Sequence, residues 1–170
     1  LEVLFDTENT YTEVVVTGAI GTGKTTFAVV SLGYRLYVLT CLRDPWSYYR
    51  MMKGTTSFVF GLFNATRELS DRVHLGKVLG AFNSCKYFRW VTQGSTEELD
   101  RESGILKFGN NIKLAFGSRA IHALGQDLIG GLLDEMNFQT VSESTNQARD
   151  LYRNTSRRIL SRFPPRLGRK

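Results

Sequence analysis

Residues 18–25 read Gly-Ala-Ile-Gly-Thr-Gly-Lys-Thr, which satisfies G-x-x-x-x-G-K-[ST] in full. No other stretch restricts the fold as much. Glycines at 18, 21 and 23 let successive backbone N–H groups turn inward around one anion. An apolar β-branched run, "EVVVT" at 13–17, precedes the motif, and a helical stretch from Lys24 to about Leu39 follows it. A buried strand, a glycine turn and a helix N-terminus together form the context in which this pattern holds phosphate. On that reading Gly18, Ala19, Ile20, Gly21, Thr22, Gly23, Lys24, Thr25 and Thr26 form a nucleotide cradle. Lys24 reaches the β- and γ-phosphates, and Thr25 offers its hydroxyl to Mg²⁺.

The rest of the chain alternates strands with helices. "RDP" at 43–45 ends the first helix, and "SFVFGLF", 57–63, reads as a strand. Residues 65–84 read as a helix, with Leu69, Val73, Val78 and Phe82 near helical spacing. The polar stretch 94–104 reads as a loop, and "ILKF" and "IKLAFGS" as two strands joined at "GNN". Residues 117–131 read as a loop or short helix, and "GGLLDEMNF", 130–138, carries a strand that ends in two acids. A helix from about Ser142 to Phe163 follows, opened by the capping box Thr140-x-x-Glu143 and stopped by "PP" at 164–165. This order predicts a mainly parallel, three-layer α/β domain. A chain of 170 residues suffices for one such core.

The two acids define the chemistry expected of the loop. An apolar strand that delivers Asp134 beside a phosphate cradle supplies a carboxylate for Mg²⁺, through water. Glu135, next to it, can polarise a water for attack on the γ-phosphate, with Lys24 stabilising the charge that develops. A small-molecule kinase has its own hydroxyl nucleophile and needs no such base. A GTPase is expected to carry N/T-K-x-D, which is absent. The combination predicts an Mg²⁺-dependent ATPase of the additional-strand, catalytic-glutamate (RecA-like) type. There, another strand lies between the phosphate-loop strand and the acidic strand. "SFVFGLF" and "IKLAFGS" are both available for it; "IKLAFGS" is the preferred central neighbour, with Ser118 at its end as the candidate γ-phosphate sensor.

Other signals are weaker. Arg119 is the first candidate for an arginine finger and Arg101 the second. His122 reads as a loop residue, and Tyr48, Tyr49, Phe58 and Phe60 as core or interface. Phe5 or Tyr11 is a candidate adenine contact. Cys41 and Cys85 lack any C-x-x-C companion and read as reduced thiols of a cytosolic protein. No run approaches the length of a membrane span, so no membrane partner is expected. Residues 149–170 hold eight of the twenty-two basic residues and one of the sixteen acids, so the excess positive charge lies at the C-terminal end. On the last helix Tyr152, Ile159 and Phe163 can share an apolar side. Arg149, Arg153 and Arg157 lie four apart on another. That row suits a DNA backbone, an acidic partner or a solvated face.

These parts resemble the ATPase domain of the large terminase subunit, the DNA-packaging motor of tailed bacteriophages. "GAIGTGKTTFAVVSLGYRLYVLTCLRDPWSYY" resembles its phosphate loop and following helix, and "GSRAIHALGQDLIGGLLDEMNF" its approach to an L-L-D-E strand. "ARDLYRNTSRRILSRF" resembles the helix after that. The resemblance covers essentially the whole chain. It implies ATP-driven translocation of double-stranded viral DNA into a procapsid. Lys24 and Thr25 would bind ATP and Mg²⁺, Asp134 would support the metal, and Glu135 would be the base. Implied partners are DNA, the portal protein, the small terminase subunit and further copies in a ring, commonly pentameric. The implied location is the host cytoplasm, docked on the procapsid. Residues 1–170 would be the ATPase domain, stopping before the coupling strand and without the family's nuclease domain. The family often carries an arginine inside the phosphate loop, and this loop has none. A helicase or other ring ATPase would share the same four site residues. A nucleotide-binding structural module with negligible turnover would share the cradle alone.

Overall fold

A computed structural model describes residues 13–19, 21–92, 99–100, 105–118, 127–138 and 146–163. Its centre is strand β1 (Phe58–Phe63), every residue of which is buried. β4 (Ile112–Gly117) and β5 (Leu128–Leu133) flank it, both parallel to it. Parallel strands covered on both faces read as continuous apolar runs, which is why "FVFGLF" shows no alternation. β2 (Leu99–Asp100) and β3 (Ile105–Phe108) extend the sheet antiparallel from β4, giving the order β2-β3-β4-β1-β5. Part of the stretch expected to be loop is therefore a short edge strand. The expected turn at "GNN" joins β3 to β4. It holds because Asn110 and Asn111 accept left-handed backbone, with φ of 57° and 59°.

Helices cover both faces. On one side α1 (Lys24–Thr40) buries Val29, Leu32, Leu36 and Leu39, spaced three and four apart. Beside it lies α3, which runs as Arg67–Leu69, a π-helical turn Ser70–Leu75, and Gly76–Ser84. α4 (Lys86–Thr92) follows and stacks Phe88 on Phe82, with ring centroids 4.3 Å apart. These side chains meet Phe58, Phe60 and Leu62 of β1 in one continuous core. Each fully buried aliphatic or aromatic side chain there contributes about 1.5–3 kcal/mol. α2 (Pro45–Tyr49) is capped by Asp44, whose carboxylate accepts from the Ser47 N–H. It tucks Trp46 into the same core, where the indole N–H donates to the Thr56 carbonyl at 2.9 Å. Tyr49 packs on Phe58 and Phe163, so Tyr49, Phe58 and Phe60 serve as core, while half-buried Tyr48 sets its ring against Tyr49.

The opposite face carries α5 (Gln147–Arg162), whose Leu151 meets Val59, Phe63, Ala115 and Leu128. The helix comes close because β5 has glycine at 131, where a Cβ would stand 3.0 Å from Thr155 Cγ2. The three-layer α/β arrangement expected from sequence is thus present. The start of α5 differs from expectation. Its N-cap is Asn146, whose side-chain oxygen accepts from the Arg149 N–H at 2.9 Å. Thr140 and Glu143 lie outside the described residues.

Two further expectations are corrected. Residues 13–17 do not form a buried strand. They have no regular structure, and Val14, Val15 and Val16 are 52%, 86% and 45% exposed. A β-branched run becomes a strand only with a partner to pair with, and none of the described strands pairs with it. Nor is "IKLAFGS" the neighbour of the acidic strand. β4 lies on the far side of β1, and β1 itself adjoins β5.

Candidate functional site

The site lies where the parallel strands end. Asp134 follows β5 directly, and its backbone N–H still pairs with the Phe63 carbonyl at 2.9 Å. That bond fixes the residue at the sheet's C-terminal edge, where open α/β sheets bind ligands. The glycine loop faces it across the start of α1. Gly18, Gly21 and Gly23 have φ of 153°, 84° and 82°, a path that L side chains rarely follow. Thr22 Oγ1 donates to the Ala19 carbonyl at 2.9 Å and braces the turn. Lys24 folds back across the loop, and its ammonium donates to the carbonyls of Gly18 (2.9 Å) and Ala19 (2.7 Å). Thr26 is exposed in the first turn of α1, where backbone N–H groups point away from the helix. Ile20 lies outside the described residues.

Two halves of the sequence pattern, 109 residues apart, converge here. Thr25 Oγ1 donates to Asp134 Oδ2 at 2.8 Å. The Glu135 backbone N–H donates to Asp134 Oδ1 at 3.0 Å. Glu135 is itself exposed and has left-handed backbone, with φ of 54°. A glutamate in that conformation is strained, and strain of this kind collects at functional positions.

A third side chain reaches the same carboxylate. His74, with no exposed surface, places Nε2 3.2 Å from Asp134 Oδ2. Burial is the main influence on the ring and pushes its pKa below the ordinary 6.5, against the hydrogen bond and charge of Asp134. A carboxylate oxygen can only accept, so the contact with Asp134 needs a hydrogen on Nε2. Ser70 has committed its hydroxyl proton to the Leu62 carbonyl at 3.0 Å, and its oxygen stands 3.5 Å from His74 Nδ1. The short contact is the one to Asp134, so Nε2 carries the hydrogen. Sequence reasoning missed His74 because it placed Leu69 and Val73 on the inner stripe of this helix. The residues that are buried are Ser70, His74, Val78 and Phe82, four apart, and Leu69 and Val73 are half-buried. Two polar residues in line with two core residues were the available signal.

Other expected site residues fall differently. Ser118 is buried at the end of β4, but β1 separates its strand from β5, so it does not adjoin the acidic pair as supposed. The polar residue that ends the neighbouring strand is Asn64, fully buried after β1. Arg119, Arg101, His122, Phe5 and Tyr11 lie outside the described residues. On α5 the sheet-facing stripe is Leu151, Thr155 and Ile159, not Tyr152. Tyr152 is 46% exposed, and its hydroxyl donates to Glu13 Oε2 at 2.8 Å. Ser156 donates to the other oxygen of Glu13 at 3.2 Å. Both bonds hold the approach to the glycine loop against α5. The Glu13 carboxylate raises the Tyr152 pKa above its ordinary 10.0 by accepting that proton. Arg149, Arg153 and Arg157 are all exposed on the side of α5 away from the sheet, as expected of a row four apart.

A glycine-lined turn at a helix N-terminus, facing an acid at the end of a parallel strand, defines a P-loop nucleotide-binding domain. The chain belongs to the family described as "Uncharacterized protein MJ0330, N-terminal P-loop domain", whose model matches residues 2–167. No curated protein and no solved structure matches the chain. No helix among the described residues is long and apolar enough to cross a membrane.

Proposed function

We propose that this domain hydrolyses ATP to move double-stranded DNA, as its resemblance to large terminase subunits implies. One observation carries the hydrolytic part. The hydroxyl after the phosphate-loop lysine and the first acid after β5 meet at 2.8 Å, with Glu135 next in the chain. Hydroxyl and carboxylate oxygens are the donors Mg²⁺ prefers, and that ion takes few protein ligands when it arrives with phosphates. Thr25 and Asp134 therefore fit it and would hold it. When bound, Mg²⁺ neutralises charge on the β- and γ-phosphates. Lys24 exchanges the Gly18 and Ala19 carbonyls for phosphate oxygens. Glu135, exposed to solvent, takes the proton of the attacking water.

The additional-strand class is the finer part of this proposal. β5 ends the sheet on its outer side among the described residues, while 13–17, tethered to α5 through Glu13, pairs with no described strand. The DNA part rests on the exposed row Arg149, Arg153 and Arg157, whose spacing suits a phosphate backbone. The portal protein, the small terminase subunit and a ring of further copies are the partners this reading entails.

The test combines a variant with a choice of activators. Glu135→Gln is expected to keep ATP binding and lose phosphate release, and unchanged release removes Glu135 as the base. Hydrolysis by the parent protein is expected to rise with portal and procapsid. A rise with single-stranded DNA alone makes it a helicase instead. Charge reversal at Arg153 and Arg157 is expected to weaken DNA binding and flatten its salt dependence. No change in either discards the arginine row as a DNA contact.

A further inference from the structure

We propose that His74 is a positioning residue for Asp134. Its Nε2–H holds the carboxylate in the rotamer that meets Thr25, and so sets how tightly the site takes a divalent ion. This rests on the nucleotide–metal reading above.

The Asp134 carboxylate has three donors, and they are not equivalent. The Glu135 N–H at 3.0 Å belongs to the adjacent residue and moves with the strand end. The Thr25 hydroxyl at 2.8 Å is itself a candidate metal ligand, so its lone pairs have a second demand on them. His74 at 3.2 Å has neither limitation. It comes from a separate helix and is wholly enclosed, one turn after Ser70, which donates to the Leu62 carbonyl of β1. Swinging Asp134 away from Thr25 would strand a buried imidazole N–H without a partner. A lost partner of that kind is costly, so the rotamer is fixed before any ligand arrives. The helix carries a π-helical turn over Ser70–Leu75, a winding found frequently at functional sites. Groups that orient a metal ligand typically alter metal affinity 10- to 100-fold when removed.

Two measurements test the assignment. In the first, Mn²⁺ binding with ADP is followed by loss of the free-ion EPR signal in the parent, His74→Leu and His74→Gln proteins. ADP binding without metal is measured alongside. His74→Leu is expected to weaken Mn²⁺ about 10- to 100-fold and to leave metal-free ADP affinity within about two-fold. His74→Gln, whose amide N–H can reach the same oxygen, is expected to restore most of the loss. Unchanged Mn²⁺ affinity in His74→Leu overturns the proposal, as does an equal loss in both variants. The second needs no variant at His74. The chain has two histidines, so ¹⁵N spectra of histidine-labelled protein, assigned with His122→Gln, report the ring directly. A proton on Nε2 supports the proposal, and a ring without one there overturns it. A parent protein that binds neither Mn²⁺ nor ADP refutes the nucleotide reading, and the ¹⁵N result still stands.

Discussion

Replacing Glu135 by glycine is expected to stabilise the fold while abolishing the proposed hydrolysis. Its φ of 54° puts the residue in the left-handed region, where a Cβ crowds the following carbonyl. That crowding costs about 1–2 kcal/mol for an ordinary L-residue. Glycine removes it but gives the unfolded chain extra freedom, which takes back about 0.5–1 kcal/mol. The local hydrogen bonds do not depend on the side chain. The N–H donates to Asp134 Oδ1, and the carbonyl accepts from the Phe138 N–H, each at 3.0 Å. Mid-range values leave a net gain of about 0.75 kcal/mol, or about 1.5–3 °C in Tm for a domain of this size. Asparagine tolerates the same backbone without the glycine penalty and is expected to gain about 1 kcal/mol. Glutamine keeps the strain and is expected to gain nothing. Thermal unfolding by circular dichroism, run beside phosphate release on all four proteins, separates backbone from carboxylate. Equal stability of Glu135→Gly and Glu135→Gln, or a less stable glycine variant, would refute the argument from strain.

Three more outcomes are expected. Lys24→Ala removes the ammonium that spans the loop and is expected to abolish triphosphate binding, measured by calorimetry. Asn146→Ala deletes the cap of α5 and is expected to lower stability by about 1 kcal/mol in urea unfolding. The Ser47 hydroxyl and N–H hold the Asp44 carboxylate below its ordinary 3.8, so its cap is fully effective above that value and fades as pH falls through the lower folded one. Tm of the parent should therefore exceed that of Asp44→Asn at pH 5, and the gap should close in stronger acid.

The parts legible in sequence were those whose physics is local. A glycine loop, a helix that buries Leu32, Leu36 and Leu39, and a strand that ends in two acids each carry their own pattern. The meeting of Thr25 with Asp134 followed from motif knowledge rather than from spacing. What escaped depends on neighbours distant in sequence. "EVVVT" has the composition of a strand, and composition cannot say whether a partner is there to pair with it. The place of β4 beside β1 rather than β5 is a choice of topology that no side-chain pattern encodes. His74 was hidden because a single imidazole on a helix has no characteristic spacing. Its role appears only when β5 brings Asp134 to the same point. Spacing with Ile159 and Phe163 lets Tyr152 share an apolar side of α5, and spacing cannot see a distant partner. Its hydroxyl, with Glu13 in reach, decided otherwise.

Glu13 ties α5 to the approach to the glycine loop. Its two carboxylate oxygens grip hydroxyls one helical turn apart, at Tyr152 and Ser156, while the arginine row runs along a neighbouring stripe of the same rod. Turning the rod by one residue, about 100°, would pull both hydroxyls out of Glu13's grasp together. A rotation of α5 would therefore be met first at Glu13, just before the glycine loop begins.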